Sequence, residues 1–199
     1  MVKIFVEGGG AGAAATERRK GFDDLLNAAG FQAKPKIALC GTRRQAFDKF
    51  RDAMSNPTAG MFYILLVDSE GPVKSPKKPW EYLRKRDKWV RPPDATDDHV
   101  HLMIECMEAW LLSDPECLRR RFGKDYNARK LPGNPHPESI SKEEIQEALA
   151  AVTSGKFHKS EHSFELLATV RPSALIAKCP SAQRFFKVLE SHCGRPRAY

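Results

Sequence analysis

Apolar and polar positions along the first third of the chain follow two alternating patterns. Three short stretches are mostly apolar and partly β-branched, which is typical of strands buried in a parallel sheet. These stretches are residues 2–6, 36–40 and 61–67. Between them, apolar residues recur at helical spacing over 12–29 and 43–54, and Gly30 follows the first helical segment as a stop signal. The alternation predicts a β-α-β-α-β unit and a doubly wound sheet.

The rest of the chain is predicted to add one strand, at about 100–106, and several helices. One helix is expected at 107–112. A second is expected to begin at a capping box formed by Ser141 and Glu144 and to end near Gly155. Shorter amphipathic helices are expected at 164–170 and 182–189. Residues 131–139, with three prolines, are a linker candidate. We therefore expect one α/β, Rossmann-like domain over 1–199. Its core of about 1–122 has a mainly parallel four-stranded sheet flanked by helices, and a helical C-terminal extension covers about 131–199.

Composition narrows the class of protein. Among the 199 residues, the five cysteines are an odd number and include no CxxC pair. This argues against a disulfide framework or a structural zinc site and favours a reducing cytosol. The longest apolar run, residues 61–67, is too short to cross a bilayer, and the first residues lack the apolar stretch of a signal peptide. We therefore expect a cytoplasmic protein without a membrane partner.

Positive charge is concentrated in one segment. The chain carries a net charge of +8, which favours phosphate-rich partners such as nucleic acid. Residues 74–91 contribute +6 of this charge through eight basic residues against Glu81 and Asp87. The basic residues are Lys74, Lys77, Lys78, Arg84, Lys85, Arg86, Lys88 and Arg91. Our candidates for nucleic-acid contact are Arg84, Lys85, Arg86 and Lys88.

Aromatic residues are interleaved with these charges. Trp80, Tyr82 and Trp89 could stack on bases, or they could anchor a short helix to the core with the lysines solvated around it. Two further basic clusters, Arg18-Arg19-Lys20 and Arg119-Arg120-Arg121, lie on predicted helices. Solvated helix faces are the simpler explanation of both clusters, and phosphate contact is the alternative.

Carboxylates follow two of the predicted strands. Glu7 ends the first strand, and Asp68 ends the third, with Glu70 two residues later. Ligands of open parallel sheets bind beyond the carboxyl ends of the strands, and oxygen-rich clusters suit Mg²⁺ or Mn²⁺. Asp68 and Glu70 face one side if the backbone between them is extended, and Glu108 could complete the cluster. The alternative is that these acids are solvated or cap neighbouring helices.

Several motifs carry a resemblance that spans nearly the whole chain. A first strand ending in Val6-Glu7-Gly8 and a later strand ending in Asp68-Ser69-Glu70 resemble the Toprim domain of topoisomerases, primases and OLD-type nucleases. Further segments resemble, more specifically, a Toprim-like domain-of-unknown-function family of bacteria. These segments are Gly8-Gly9-Gly10, Cys40-Gly41-Thr42-Arg43, Ala95-Thr96-Asp97-Asp98, His101-Leu102-Met103, Met107-Glu108-Ala109-Trp110, Phe157-His158-Lys159 and His162-Ser163-Phe164-Glu165.

The resemblance implies a Toprim-like fold and a metal-dependent endonuclease or nickase that acts on nucleic acid. Glu7 would be a metal ligand or general base, and Asp68 and Glu70 would be ligands. Glu108 would bind a second metal or position water. The resemblance also brings Lys159 near the site, where a cation could stabilise transition-state charge.

Further expectations follow from the same resemblance. They are an ATPase partner subunit and a role in anti-phage defence; assembly as a homo-oligomer is left open. The chain departs from the expected pattern at residue 11, which is alanine where relatives are expected to carry an acid. A metal ligand at that position is therefore lost.

Other interpretations of these residues remain open. The glycine triplet after the first strand could cradle a nucleotide, although neither a Walker lysine nor a full GxGxxG fingerprint follows. His99-x-His101 and His158-x-x-x-His162 have spacings that metals use, but hydrogen-bonded histidines are the simpler explanation. The main rival function is a non-catalytic Toprim-like module that binds nucleic acid or an ATPase, with binding unaffected by EDTA. A small-molecule phosphatase is a further rival, although haloacid-dehalogenase chemistry would place its acids after the first strand.

Overall fold

The computed structural model describes residues 1–8, 13–73 and 78–194. Parts of the expected glycine turn and basic segment, namely Gly9, Gly10, Ala11, Lys74 and Lys77, lie outside the described residues. The expectations that concern them stay predictions.

Four parallel strands form one sheet in the order β2-β1-β3-β4. The strands are β1 (Val2–Val6), β2 (Lys36–Leu39), β3 (Phe62–Asp68) and β4 (Val100–Met103). The predicted α/β class with a four-stranded sheet is confirmed, and every strand pair is parallel. β4 is shorter than expected, because Glu105 has a left-handed backbone (φ 60°) that cannot continue a strand.

Helices flank the sheet throughout the described part of the chain. They are α1 (Ala13–Ala28), α2 (Arg43–Ser55), α3 (Pro79–Asp87), α4 (Ala109–Ser113), α5 (Pro115–Phe122), α6 (Lys142–Val152), α7 (Lys159–Leu167), α8 (Pro172–Lys178) and α9 (Pro180–Cys193). The capping box of Ser141 and Glu144 is confirmed at the start of α6. Helix α7 begins at Lys159, well before the predicted segment at 164–170.

The sheet separates two hydrophobic layers, because successive strand residues point to opposite faces. Val2, Ile4 and Val6 pack into the layer that contains α1 and helices α4 to α9. Phe5 and Leu65 pack into the layer that contains α2 and α3. The C-terminal helices therefore share one hydrophobic core with the sheet.

The proline-rich stretch 131–139 is tied to the last helix. Its short 3-10 turn at Pro137–Ser139 places the Glu138 carboxylate beside Ser181 of α9. That carboxylate accepts hydrogen bonds from the Ser181 backbone N–H (3.0 Å) and hydroxyl.

All five cysteines are buried and have free thiols. No helix of residues 1–8, 13–73 or 78–194 is long and apolar enough to cross a membrane.

Candidate active site

Two of the predicted acids lie side by side at the carboxyl edge of the sheet. β1 and β3 pair directly, with Val6 opposite Leu66, and the Glu7 backbone N–H donates to the Leu66 carbonyl (3.4 Å). Glu7 and Asp68 therefore leave adjacent parallel strands at the same edge, as the sequence predicted.

Ser69 fastens the end of β3 to the end of β4. Its backbone N–H donates to the Met103 carbonyl (2.8 Å), and its hydroxyl accepts from the Glu105 backbone N–H (2.7 Å). The same hydroxyl donates to the Gly71 carbonyl (2.5 Å). Ser69 is completely buried, so these bonds fix the backbone on which Asp68 sits.

The backbone does not stay extended after Asp68. Glu70 adopts a left-handed conformation (φ 56°), and so does Glu105 (φ 60°). The two residues are joined by a hydrogen bond from the Glu70 N–H to the Glu105 carbonyl (3.1 Å). Such conformations cost on the order of 1–3 kcal/mol each and cluster at functional sites. The condition of an extended backbone between Asp68 and Glu70 is therefore not met, although both side chains line the same cleft.

Asp68 lies at the centre of the acidic residues. Its Oδ1 accepts a hydrogen bond from the Met107 backbone N–H (2.9 Å), ahead of α4. Burial raises the pKa of Asp68 to about 8. The negative charges of three neighbouring carboxylates also favour its protonated form, namely those of Glu108, Glu7 and Glu70. Carboxyl groups crowded in this way repel each other when all are ionised.

Glu108 is buried at the floor of the site and holds two partners from α7. Its carboxylate accepts hydrogen bonds from the Ser163 hydroxyl (2.9 Å) and from the Lys159 ammonium group (3.1 Å). The structure thus places Lys159 among the acids, where the resemblance had positioned it. Burial tends to lower the pKa of Lys159, but the charges of Glu108 and Asp68 outweigh this effect and raise it.

Lys142, which sequence reasoning missed, neutralises Glu70. Its ammonium group donates to the Glu70 carboxylate (2.5 Å), and its backbone N–H donates to the Glu105 carboxylate (3.3 Å). Burial raises the pKa of Glu105. Lys142 is the first residue of α6, so the capping box found in the sequence also brings this lysine to the site.

Glu7 has one carboxylate oxygen without a hydrogen-bond partner. Among the described residues, Glu7 Oε2 is one of two buried side-chain polar atoms that lack one. Burial raises the pKa of Glu7, an effect that Arg43 opposes and Glu70 reinforces. A buried acceptor left without a donor costs free energy, and this atom is therefore available to a cation.

Arg43, the first residue of α2, braces the site from behind. Its guanidinium group donates to both carboxylate oxygens of Asp87 (3.1 and 2.9 Å) and to the backbone carbonyl of Asp68. It also lies over the Trp89 ring (5.1 Å to the ring centre) and 3.9 Å from Glu7 Oε2. The motif Cys40-Gly41-Thr42-Arg43 was noticed in the sequence, but nothing there indicated the buried partner Asp87.

Several of these residues line a cleft of about 670 Å³. Its lining combines four carboxylates with basic, apolar and aromatic side chains. The carboxylates are those of Glu7, Asp68, Glu70 and Glu108, and the other lining residues include Arg18, Phe22, Met103, Met107, Phe157, His158, Lys159 and Phe164.

The four acids do not form a ready-made ligand set. Within residues 1–8, 13–73 and 78–194, no group of three or more His, Cys, Asp or Glu side chains is arranged to hold a metal ion. Glu70 turns toward Lys142 and Glu108 toward Lys159, which keeps their carboxylates apart. The hypothesis that these acids share a divalent cation stays a prediction.

The aromatic residues of the basic segment belong to the core. Trp80 and Trp89 are only 5% and 4% exposed, and Trp89 stacks on Phe47 with ring centres 4.3 Å apart. The Tyr82 hydroxyl donates to the Ser69 carbonyl (2.7 Å). The burial of Trp80 and Trp89 contradicts the idea that their rings stack on bases. Trp80 and Tyr82 anchor α3 to the core, as the alternative predicted, and stacking on the half-buried Tyr82 ring stays a prediction. The four candidate basic residues of that segment, Arg84, Lys85, Arg86 and Lys88, are exposed.

The second basic cluster is occupied by contacts within the protein. Arg119 pairs with Glu116 (2.7 Å) and Arg121 with Glu165 (2.6 Å), and Arg120 donates to the Thr169 carbonyl (2.9 Å). These arginines tie α5 to its surroundings. In the first cluster, Arg18 alone lines the cleft, while Lys20 pairs with Asp24 (2.5 Å).

The paired histidines are either hydrogen-bonded or on the surface, which was the simpler explanation of their spacing. His99 Nδ1 accepts from the Thr96 backbone N–H (3.0 Å), and buried His101 Nε2 lies 3.1 Å from the Asp98 carbonyl oxygen. His162 Nδ1 accepts from the His158 backbone N–H (2.9 Å), and His158 itself is exposed.

Comparison with known proteins gives one match. The family described as Domain of unknown function (DUF4276) matches residues 13–190. No curated protein and no solved structure shows significant similarity to the chain. Nothing in the match connects this family with Toprim domains or OLD-type nucleases. Because the match covers most of its 199 residues, the chain belongs to the DUF4276 family of domains of unknown function.

Proposed function

We propose that this chain is a Toprim-like, metal-dependent phosphodiesterase that cuts or nicks nucleic acid. The observation that carries the proposal is Asp68, a carboxyl group crowded by three other acids at the carboxyl edge of a parallel sheet. Its environment penalises its ionised form unless a positive charge comes close. Perturbed carboxyl groups in a cleft are candidates for catalytic work.

The donor chemistry at this edge suits a small divalent cation. All the acidic donors are carboxylate oxygens, which Mg²⁺ and Mn²⁺ prefer, and Glu7 Oε2 is buried without a hydrogen-bond partner. Glu7 and Asp68 would hold the ion. Glu70 and Glu108 would take part only by leaving Lys142 and Lys159.

The chain's own groups would divide the work around the phosphodiester. The bound ion would polarise the phosphate and make water a better nucleophile. Glu7, whose pKa is raised by burial, is suited to accept a proton from that water. Lys159 reaches into the cleft beside Glu108 and would stabilise the negative charge on the transferring phosphoryl group. Arg43 would keep Glu7 and the Asp68 backbone in place.

The proposed partners and location rest on charge, sequence motifs and cysteine burial. Nucleic acid is favoured by the net charge of +8. An ATPase subunit and anti-phage defence rest on the resemblance of the sequence motifs alone, and assembly as a homo-oligomer is left open. Five buried free thiols fit a reducing compartment, so we propose a cytoplasmic location.

A cleavage assay tests the proposal. End-labelled single- and double-stranded DNA and RNA are incubated with the full chain in Mg²⁺, Mn²⁺ or EDTA. We expect cleavage only with a divalent cation, and a loss of at least about 100-fold in Asp68→Asn, the size typical of losing one key catalytic interaction. Asp94→Asn, an exposed acid outside the cleft, is the matched control and should cut normally. Equal cleavage by the two variants would exclude Asp68 from catalysis.

One observation favours a second candidate, a binding module without catalysis. Glu70 and Glu108 are both neutralised by lysines, as in a site that is complete without metal. Such a module would bind nucleic acid equally well in Mg²⁺ and in EDTA and would never cut it. The cleavage and binding assays together separate the two candidates.

A further inference from the structure

Phosphodiester chemistry at the acids leaves part of the cleft unexplained. Besides the carboxylates, the cleft is lined by aromatic and apolar side chains, several of them from a wall formed by α1 and the start of α7. A metal ion and a phosphate group need only oxygen donors and cations. The apolar lining therefore indicates a second substrate element that is not charged.

Two aromatic rings of this wall are accessible. Phe157 and Phe164 are half-buried, whereas Phe22 behind them is buried. Phe164 packs against Phe22 with ring centres 6.0 Å apart, which supports the ring from below. The two accessible rings therefore offer surface to a ligand in the cleft.

The wall is held rigidly because α1 and α7 approach closely. A Cβ atom added at Gly21 of α1 would lie 2.7 Å from the Phe164 carbonyl oxygen, so glycine is required for this spacing. Close packing of this kind fixes the position of the Phe164 ring relative to the acids. A preorganised surface loses less entropy when a ligand binds.

Cations stand beside the rings on the same wall. The Arg18 guanidinium lies over the Phe164 ring (5.8 Å to the ring centre), and Lys159 lines the same cleft. Aromatic rings next to basic groups are the usual combination in sites for single-stranded nucleic acid, where rings stack on bases and cations contact phosphates.

We propose that the α1–α7 wall is a stacking subsite for one unpaired nucleobase, with Phe164 and Phe157 as the stacking residues. The inference rests on the proposed function in taking nucleic acid as the ligand. The adjacent phosphate lies between Lys159, Arg18 and the acids. The ligand is thus a single strand, or a nucleotide turned out of a duplex.

Stacking on a protein ring requires a base with a free face. The rings line the same cleft as Asp68 and Glu108, and the faces of a base in a duplex are covered by its neighbours. A base can stack on these rings only after it leaves the duplex stack. A volume of about 670 Å³ falls in the range of sites that hold one small ligand.

A binding experiment in EDTA tests the subsite without cleavage. The probes are two short single strands, one entirely abasic and the other abasic except for a central 2-aminopurine, whose fluorescence falls when it stacks. We expect the wild-type chain to bind the base-bearing strand about 5- to 100-fold more tightly than the abasic strand, and to quench it. A duplex of the same length, with its bases covered, should bind more weakly than a single strand with all its bases.

Matched variants locate the effect. Phe164→Leu and Phe157→Leu should each reduce the preference for the base-bearing strand and the quenching. Phe31→Leu removes the same atoms from a half-buried ring that stacks on Phe186 outside the cleft, and it should change neither. Thermal denaturation verifies that each variant is folded, and the wild-type comparison of the two strands needs no variant.

Three outcomes would overturn the subsite: equal affinity of the wild type for both strands, the absence of quenching, or the same response from Phe164→Leu, Phe157→Leu and Phe31→Leu. A chain that distinguishes the strands in EDTA but never cuts in Mg²⁺ or Mn²⁺ would support the subsite and refute the phosphodiesterase. A chain that cuts but ignores the base would do the reverse.

Discussion

Charged side chains lie both beside the cleft and on the outer surface of α3, but the ion pairs of the two regions differ in burial and geometry. Beside the cleft, Arg43 is 13% exposed and its partner Asp87, the last residue of α3, is 11% exposed, and their two hydrogen bonds define one geometry. On α3, Lys85 pairs with Glu81 one turn away (2.9 Å), and the Lys85 side chain is 72% exposed.

The comparison shows that counting charges along the chain does not reveal what they do. Counting charges in the sequence gives residues 74–91 a net charge of +6, with Asp87 as one of two acids that oppose eight basic residues. In the structure Asp87 is the buried anchor of Arg43. Removing one partner of a buried pair leaves an uncompensated charge, whereas exposed pairs contribute little.

The largest expected effect is the loss of Arg43. Arg43→Ala removes two hydrogen bonds from the largely buried Asp87, which keeps only Arg86 (2.6 Å) as a cationic partner, and it removes the donor to the Asp68 carbonyl. We expect the free energy of unfolding in urea to fall by about 3 kcal/mol, because three charge-assisted hydrogen bonds are lost from a largely buried site. Stability is measured by urea denaturation followed by circular dichroism.

Lys85→Ala is the matched comparison, because it removes a cation from an ion pair on α3 that is open to solvent. Its stability should equal that of the wild type within error. If the two substitutions cost the same, the charges of the cleft would be no more firmly held than those of the surface, and the comparison would fail.

The parts of the site that could be predicted are those determined by neighbouring residues. The β1 and β3 patterns predicted two adjacent strands, and adjacency placed Glu7 beside Asp68. Lys142 and Asp87 could not be predicted, because their partners Glu70 and Arg43 are distant in sequence. Such pairings depend on how helices pack, which short-range periodicity does not specify.

The left-handed backbone conformations at the strand ends also could not be predicted from the sequence. Glu70 and Glu105 adopt positive φ angles that glutamate does not favour. They do so because buried Ser69 and the hydrogen bond between them hold the two strand ends together. No local sequence signal indicates a conformation that is imposed by tertiary packing.

Asp68→Asn is expected to raise the free energy of unfolding, by less than Arg43→Ala lowers it. The folded-state pKa of Asp68 is about 8, against an ordinary value of about 3.9. Between these values the folded state binds more protons than the unfolded state, so wild-type stability decreases as pH rises. In EDTA, Asp68→Asn should therefore be more stable than the wild type by about 1–3 kcal/mol above pH 8, and similar to it near pH 4.

Denaturation in urea across that pH range measures the difference, with Asp94→Asn as the control. Added Mn²⁺ should reverse the ranking, because an ion that binds only the folded wild type raises its stability in proportion to the logarithm of ion concentration. A constant difference between Asp68→Asn and the wild type at every pH would mean that Asp68 is not crowded by the neighbouring acids. No stabilisation by Mn²⁺ would remove the support for a cation at Glu7 and Asp68.

Alanine substitutions on the outer surface of α3 are expected to have the smallest effect on stability. They should instead change the salt dependence of nucleic-acid binding. Arg84, Lys85 and Arg86 are exposed, so replacing all three with alanine should cost little stability beyond the loss of the Arg86–Asp87 ion pair (2.6 Å). Arg43 still pairs with Asp87 in this variant. For a single strand, each cation that no longer neutralises a phosphate lowers the slope of log affinity against log salt by about 0.7. If all three bind phosphates, the slope measured with a fluorescent single strand in EDTA should fall by about 2.

Arg86 is expected to contribute most to this change, because its charge already acts on Glu7 at the edge of the cleft. Arg44→Ala with Arg51→Ala removes two exposed cations from α2, where both pair with Asp48, and should change the slope less. If the α2 and α3 variants give the same slope, α3 does not guide the strand, and the cleft alone binds it.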